Sequence, residues 1–229
     1  MSESKAFWFL DNIDVGGIFC PKKIKLTVAD KHIKEYKKDE YIYLPDEESD
    51  KIYFIYEGRI KIGSYADNGK EITKAILTEG HVFGELAMIG EDKRRDYALA
   101  IEKTSLCVVS SEEMKNMIKD HSSLSMFFMK MMGSKVIEME NRLESLVFKD
   151  SRSRIIEYLA ELVEKNGQRV GYEWVVRNFI THQEIANLTA TSRQTVTTVL
   201  NELRSGEILT FNRKRLLVRD IDKLKSEIK

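Results

Sequence analysis

Residues 181–206, THQEIANLTATSRQTVTTVLNELRSG, leave this chain little choice of local structure. Thr181 with Glu184 three positions on forms a capping box, so a helix begins there. Ile185, Ala186 and Leu188 give that helix an apolar side, and Thr189-Ala190-Thr191 interrupts it. Ser192 is placed to cap a second helix. There Val196, Val199, Leu200 and Leu203 recur at the spacing that keeps one helical face inward. Gly206 stands where a left-handed C-terminal stop is expected. The stretch therefore predicts two short helices joined by a tight turn.

The outer face of the second helix carries Arg193, Gln194, Thr197 and Thr198, with no carboxylate among them. A helix fits the major groove of B-DNA and reads base edges from its N-terminal turns; Arg forks onto guanine and Gln onto adenine. The face thus predicts contact with double-stranded DNA, against the plainer reading of a polar surface on a helical hairpin. The whole chain is neutral, with 37 Lys and Arg against 37 Asp and Glu. From Thr181 to Lys229 there are nine basic and six acidic residues. Such a small surplus makes placed residues, rather than a broad basic field, the expected source of affinity.

The remainder has room for a second core. Residues 1–30 are poorly patterned, apart from the apolar cluster Phe7, Trp8, Phe9 and Leu10. From about Lys31 to Ser110 short strand patterns follow one another: Ile52–Tyr56, Arg59–Ile62, Ile72–Leu77, Val82–Leu86, Tyr97–Ile101 and Leu106–Val109. Turn signals separate them, including Asp67-Asn68-Gly69, so a compact antiparallel barrel or roll is expected. Ser110 and Glu113 make another capping box.

Ser122 to Phe148 reads as one long helix. Along it Met129, Met132, Val136, Met139, Leu143 and Leu146 step by three and four, a narrow seam that asks for a partner helix. A parallel homodimer is expected. Asp150 caps the next helix, Ser151–Asn166, and Gly167 ends it. A less regular link, Gln168–Ile180, leads to the helix pair. Beyond the pair, Ile208–Phe211 and Leu216–Val218 flank the basic turn Asn212-Arg213-Lys214-Arg215, a wing whose cations suit phosphates. Asp220 then caps a short helix running to Ile228.

A small roll, a long helix and a winged helix-turn-helix, in that order, resemble the Crp/Fnr family of bacterial transcription regulators over roughly residues 30–219. Three features carry the resemblance: the spacing of Gly58, Gly69, Gly80 and Gly84; the segment Phe83-Gly84-Glu85-Leu86-Ala87; and Thr181-x-Gln183-Glu184-Ile185-Ala186 followed by Ser192-Arg193-Gln194-Thr195-Val196. The implied fold is α+β: a cyclic-nucleotide-binding-type β-roll (jelly roll) at 31–121, a dimerisation helix at 122–148 and a winged helix-turn-helix at 149–229. The resemblance also implies that Thr181, Gln183 and Ser192 meet phosphates while Arg193, Gln194 and Thr198 face bases. It implies a homodimer on a palindromic site, working in the cytoplasm, with RNA polymerase as a partner if it activates. The alternative is a related module whose winged helix binds protein.

The same resemblance places an effector pocket at Gly84, Glu85, Leu86, Arg94, Arg95, Asp96, Met139 and Glu140. Cyclic-AMP-binding members end this cassette in an Arg-Ser pair, whereas this chain has Arg94-Arg95-Asp96. Asp96 would repel a phosphate unless neutralised. The expectation is that Arg94 or Arg95 pairs with Asp96 in a vestigial pocket and that cyclic AMP is not the effector. Two cysteines, Cys20 and Cys107, are too few for an iron–sulfur cluster. His32, His81 and His121 are the candidate haem ligands, with His182 committed to the helix pair, but a lone His on a roll surface is usually just that and haem is not expected; Cys107 reads as a core residue. No metal and no cofactor are expected. Neither GxGxxG nor GxxxxGK[ST] occurs, nor any nucleophile–base set, so no enzyme is expected; nor is a membrane partner.

Overall fold

The computed structural model describes residues 33–66, 69, 71–120 and 122–228. The cluster at residues 7–10, Cys20, His32, His121 and the turn residues Asp67 and Asn68 lie outside them. The chain divides into two compact units, residues 1–135 and 136–229.

Among the described residues the first unit holds eight strands: β1 Ile33–Tyr36, β2 Tyr41–Tyr43, β3 Lys51–Glu57, β4 Arg59–Tyr65, β5 Glu71–Thr78, β6 Val82–Phe83, β7 Tyr97–Ala100 and β8 Thr104–Ser110. They form two four-stranded sheets, ordered β1-β8-β3-β6 and β2-β7-β4-β5, with antiparallel pairing throughout. Strand β3 shows why its sequence is apolar without alternation. Successive side chains leave a strand on opposite faces. Tyr53 and Ile55 enter the core with Tyr43, Ile60, Phe83 and Leu106. Ile52 and Phe54 enter a second cluster with Cys107, Val109, Met114, Phe127 and Met131. Both faces are covered, so both are apolar. Gly58, Gly69, Gly80 and Gly84 all adopt positive φ at the turns.

The expected strand Val82–Leu86 stops at Phe83. Gly84, with φ of 76°, turns the chain into a 3₁₀ turn, Glu85–Met88. A side chain is excluded at Gly84 because a Cβ would lie 2.8 Å from the Lys51 carbonyl oxygen and 2.9 Å from a guanidinium nitrogen of Arg94.

Helix α1, Ser111–Asp120, begins at the expected box: the Glu113 amide donates to Ser110 Oγ at 3.1 Å, and the Ser110 amide donates to the Glu113 carboxylate at 2.9 Å. Helix α2 spans Ser122–Phe148 and crosses from the first unit into the second. Its first half buries Leu124, Phe127 and Met131. Met132 is half-buried against that same cluster, so it packs within its own unit. The other seam residues are exposed, from 48% at Leu146 to 68% at Met129.

The second unit continues with α3 Ser151–Asn166, β9 Gln168–Val170, β10 Glu173–Arg177, α4 His182–Leu188, α5 Arg193–Ser205, β11 Leu209–Phe211, β12 Arg215–Val218 and α6 Ile221–Ser226. The sheet order is β11-β12-β10-β9. The supposedly irregular link is therefore a hairpin, β9–β10, and it supports the wing: Val176 of β10 pairs with Leu216 of β12. All of β9 is exposed, so no apolar alternation announced it. Ile155, Ile156, Leu159, Val163, Ile185, Leu200, Leu203, Leu209 and Val218 supply the buried core. An isolated helix of about 13 residues is marginal in water. Packing of Val196, Val199, Leu200 and Leu203 is what holds α5, a helix of 13 residues.

The end of α5 differs from expectation. Gly206 has φ of −77°, and Glu207 takes the left-handed conformation with φ of 55°. The Ile208 amide reaches the Leu203 carbonyl at 3.0 Å and the Glu207 amide reaches the Arg204 carbonyl at 3.1 Å. This is a Schellman ending with a glutamate where glycine is usual. Gly206 sits one position too early to be its left-handed residue.

Candidate nucleic-acid interface and effector cassette

The helix pair is framed by its own caps. Thr181 and Glu184 exchange both hydrogen bonds of the capping box, the Thr181 amide donating to the carboxylate at 2.7 Å. Ser192 accepts from the Thr195 amide at 3.0 Å and starts α5. Each such cap stabilises its helix by about 1 kcal/mol. Between the helices Ala190 is left-handed, with φ of 50°. Thr189 Oγ1 closes α4 by donating to the Ile185 carbonyl at 2.8 Å.

Arg154 of α3 secures this turn, and no sequence motif points to it. Its guanidinium donates to the carbonyls of Thr189 at 3.0 Å, Ala190 at 3.2 Å and Lys149 at 2.8 Å. Thirty-five residues separate Arg154 from Thr189, and no local pattern links them. Asp150 caps α3 by accepting from the Ser153 amide at 2.7 Å, and that bond holds its carboxyl below the usual range.

Arg193, Gln194 and Thr198 are exposed on the outer face of α5. Among the described residues their side chains form no hydrogen bond, so every donor and acceptor is available to a partner. Thr197 differs. It is half-buried, its hydroxyl donates to the Arg193 carbonyl at 2.9 Å, and His182 Nδ1 lies 2.9 Å from the same oxygen. Gln183 is exposed, and its side chain donates along its own helix to Asn187 at 3.0 Å. The Ser192 hydroxyl serves as cap and also meets Thr195 Oγ1 at 2.8 Å.

At the wing tip Asn212 Oδ1 accepts from the amides of Lys214 at 2.8 Å and Arg215 at 2.9 Å. That turn leaves Arg213, Lys214 and Arg215 exposed. Phe211 anchors the wing beneath Arg204, whose guanidinium lies 5.3 Å from the ring centre.

The cassette of the first unit is arranged in the opposite way. Glu85 pairs with Lys135 of α2 at 2.6 Å. Arg94 is only 5% exposed. It donates to the carbonyls of Lys51 at 2.6 Å and Gly84 at 3.2 Å and lies over the Tyr43 ring at 4.5 Å, while its Nε has no partner among the described residues. Arg95 pairs with Glu91. Asp96 accepts from Tyr43 at 3.3 Å and from Lys74 at 3.3 Å. The expected pairing of Arg94 or Arg95 with Asp96 is therefore absent: Arg94 is drawn inward by carbonyls and aromatic faces, and Lys74 of β5, two strands away from β7, supplies Asp96 with its cation. Burial, then the Asp96 charge, pushes the Tyr43 hydroxyl well above its ordinary value. Leu86 is half-buried on the 3₁₀ turn, and Met139 and Glu140 are exposed on the second half of α2.

His81 Nδ1 is engaged with the Thr78 carbonyl at 3.0 Å, and Cys107 is buried in β8. Among the described residues no group of three or more His, Cys, Asp or Glu is placed to hold a metal ion, and no helix is long and apolar enough to cross a membrane.

Comparison with known proteins agrees with this geometry. The family model for the cyclic nucleotide-binding domain matches residues 33–121, and that for the Crp-like helix-turn-helix domain matches residues 153–227. The chain is 28% identical over 188 residues to the global nitrogen regulator of a Synechocystis species, covering 81% of this chain and 84% of that protein. It is 25% identical to a CRP-like cAMP-activated global transcriptional regulator of Mycobacterium tuberculosis, over 83% of this chain and 85% of the relative. Among solved structures, a CooA variant from Carboxydothermus hydrogenoformans superposes with a TM-score of 0.74 at 27% identity, covering 86% and 87% of the two chains.

Proposed function

Because this chain belongs to the Crp/Fnr family of DNA-binding transcription regulators, we propose that it acts as a homodimer reading a palindromic duplex without cyclic AMP. The observation that carries the reading is the outer face of α5. Arg193, Gln194 and Thr198 are exposed, unpaired among the described residues and held on a helix capped at both ends. Arg193 is suited to a guanine and Gln194 to an adenine. The exposed cations of the wing suit phosphates, which set affinity and salt dependence rather than sequence preference. A protein-binding role for the winged helix is not favoured, since the Crp-like helix-turn-helix match spans nearly all of it.

Exposed Met129, Val136, Met139, Leu143 and Leu146 support pairing of α2 with its copy. Such pairing sets two reading helices about 34 Å apart, one turn of the duplex. The relative from Mycobacterium tuberculosis is named as cAMP-activated, but the cassette here supports a different state. Glu85, Arg95 and Asp96 are already paired, and Asp96 adds negative charge where a phosphate would sit. No metal or other cofactor is part of this reading. Acting on chromosomal DNA places the protein in the cytoplasm, and as an activator it would also engage RNA polymerase.

Selection from a random duplex library tests the reading. A two-fold symmetric motif is expected, and Gln194→Glu should move the preferred base from adenine toward cytosine in both half-sites. An unsymmetric motif, or one unchanged by Gln194→Glu, contradicts it. Added cyclic AMP should shift neither duplex affinity nor thermal stability.

A further inference from the structure

His182 lies where the two helices and the wing meet. Its Nδ1 is 2.9 Å from Thr197 Oγ1 on α5, and its ring packs edge-on against Phe211 of β11 at 5.5 Å. The Thr197 hydroxyl owns one hydrogen and gives it to the Arg193 carbonyl at 2.9 Å. Thr197 can therefore only accept from the imidazole, so Nδ1 carries a proton in both charge states of the ring. The other nitrogen, Nε2, makes no hydrogen bond among the described residues. It belongs to a half-buried residue between two exposed ones, Thr181 and Gln183.

We infer that His182 is a positioning residue for DNA reading: Nδ1–H fixes the first turn of α5 through Thr197 to the Arg193 carbonyl, and protonation at Nε2 strengthens the hold on the duplex. This role presupposes DNA binding by the helix pair. The chain of contacts runs from the start of α4 to the backbone of the very residue that carries Arg193. Phe211 ties the same ring to the wing, so one side chain sets the angle between the reading helix and the wing. Both charge states preserve the bond to Thr197. Only the second proton changes the charge presented to phosphates.

The charged surroundings give the direction. On α4 Glu184 is committed to Thr181. On α5 Arg193 repels a cationic imidazole, and Arg204 lies over the Phe211 ring. The wing turn adds Arg213, Lys214 and Arg215 and no carboxylate. Burial and then Arg193 hold the free-protein imidazole below its ordinary value. A polyanion alongside favours the charged form, so the value rises on binding. Binding then takes up a proton, and affinity grows as pH falls.

The test measures affinity for the duplex recovered by library selection, from about pH 8 down to about pH 6, where imidazole titrates. Wild type should tighten about three- to tenfold, because an imidazole that holds its proton up to about tenfold more tightly in the complex passes that factor on to the duplex. His182→Asn places an amide near Nδ1 but cannot be protonated. It should bind within about twofold of wild type at the higher pH and stay flat. His182→Ala should bind about tenfold more weakly at both ends, having lost a positioning hydrogen bond. Circular dichroism on each variant separates this from unfolding. If His182→Asn binds as poorly as His182→Ala while folded, or keeps the wild-type pH dependence, the inference is overturned. A folded wild type that binds no duplex overturns the DNA-binding reading itself.

Discussion

The reading helix and the effector cassette use the same chemical vocabulary to opposite ends. On α5 the side chains of Arg193, Gln194 and Thr198 are supported from behind by buried apolar residues and remain unbonded among the described residues. In the cassette Glu85, Arg94, Arg95 and Asp96 all have partners within the chain. Buried or half-buried polar groups are costly unless bonded, and those of the cassette are bonded within the chain, apart from Arg94 Nε, which has no partner among the described residues. An exposed face that waits for DNA has no such requirement, because water serves in the meantime. On the proposed reading, the difference separates side chains kept for a partner from those absorbed into the fold.

That contrast makes stability and function separable by mutation. The largest stability loss should come from Arg94→Met, which removes the buried guanidinium that donates to the carbonyls of Lys51 and Gly84. Unfolding in denaturant should register about 3 kcal/mol; a neutral result would show that these two hydrogen bonds add nothing net to stability. Arg154→Ala should follow, at about 2 kcal/mol, by releasing the turn carbonyls of Thr189 and Ala190. It should weaken DNA binding as well, since the turn orients α5.

Glu157 gives a smaller, pH-dependent effect. Burial raises its carboxyl, but hydrogen bonds from Lys149 and Ser145 outweigh this and hold it below the ordinary value of 4.5. Its folded value is depressed, so its contribution is present above about pH 4.5 and disappears as pH falls through the folded value. Thermal melts of wild type and Glu157→Gln should differ near neutrality and converge in acid. Glu85→Gln should cost about 1 kcal/mol, because the Glu85 side chain is largely covered while Lys135 is 38% exposed and the pair is only partly screened. A Glu85 kept for a ligand would instead leave stability untouched on replacement and change a ligand response.

The two regions also differ in how far their sequence can be read. Helices α4 and α5 are written in local signals: a box at Thr181 and Glu184, a cap at Ser192, a seam from Val196 to Leu203. Those signals act within one or two turns, so they survive without knowledge of the fold. The α2 span likewise follows from its uninterrupted pattern. The cassette partners do not. Glu85 and Lys135 are fifty residues apart, and Lys74 meets Asp96 across a sheet. Such pairings depend on which strands become neighbours, and neither periodicity nor capping encodes that. The β9–β10 hairpin is hidden for a related reason: its outer strand is exposed on both faces and owes its place to pairing with β10. Glu207 in a left-handed turn is masked by the glycine beside it.

The most direct test of the central claim follows Arg193→Ala through two measurements on one sample. Stability should stay within about 0.5 kcal/mol of wild type, as for a surface residue whose side chain forms no hydrogen bond among the described residues. Affinity for the selected duplex should fall by about 1–3 kcal/mol, while affinity for a scrambled duplex barely changes. Equal loss on both duplexes, or none on either, would contradict the account by showing that Arg193 does not read bases.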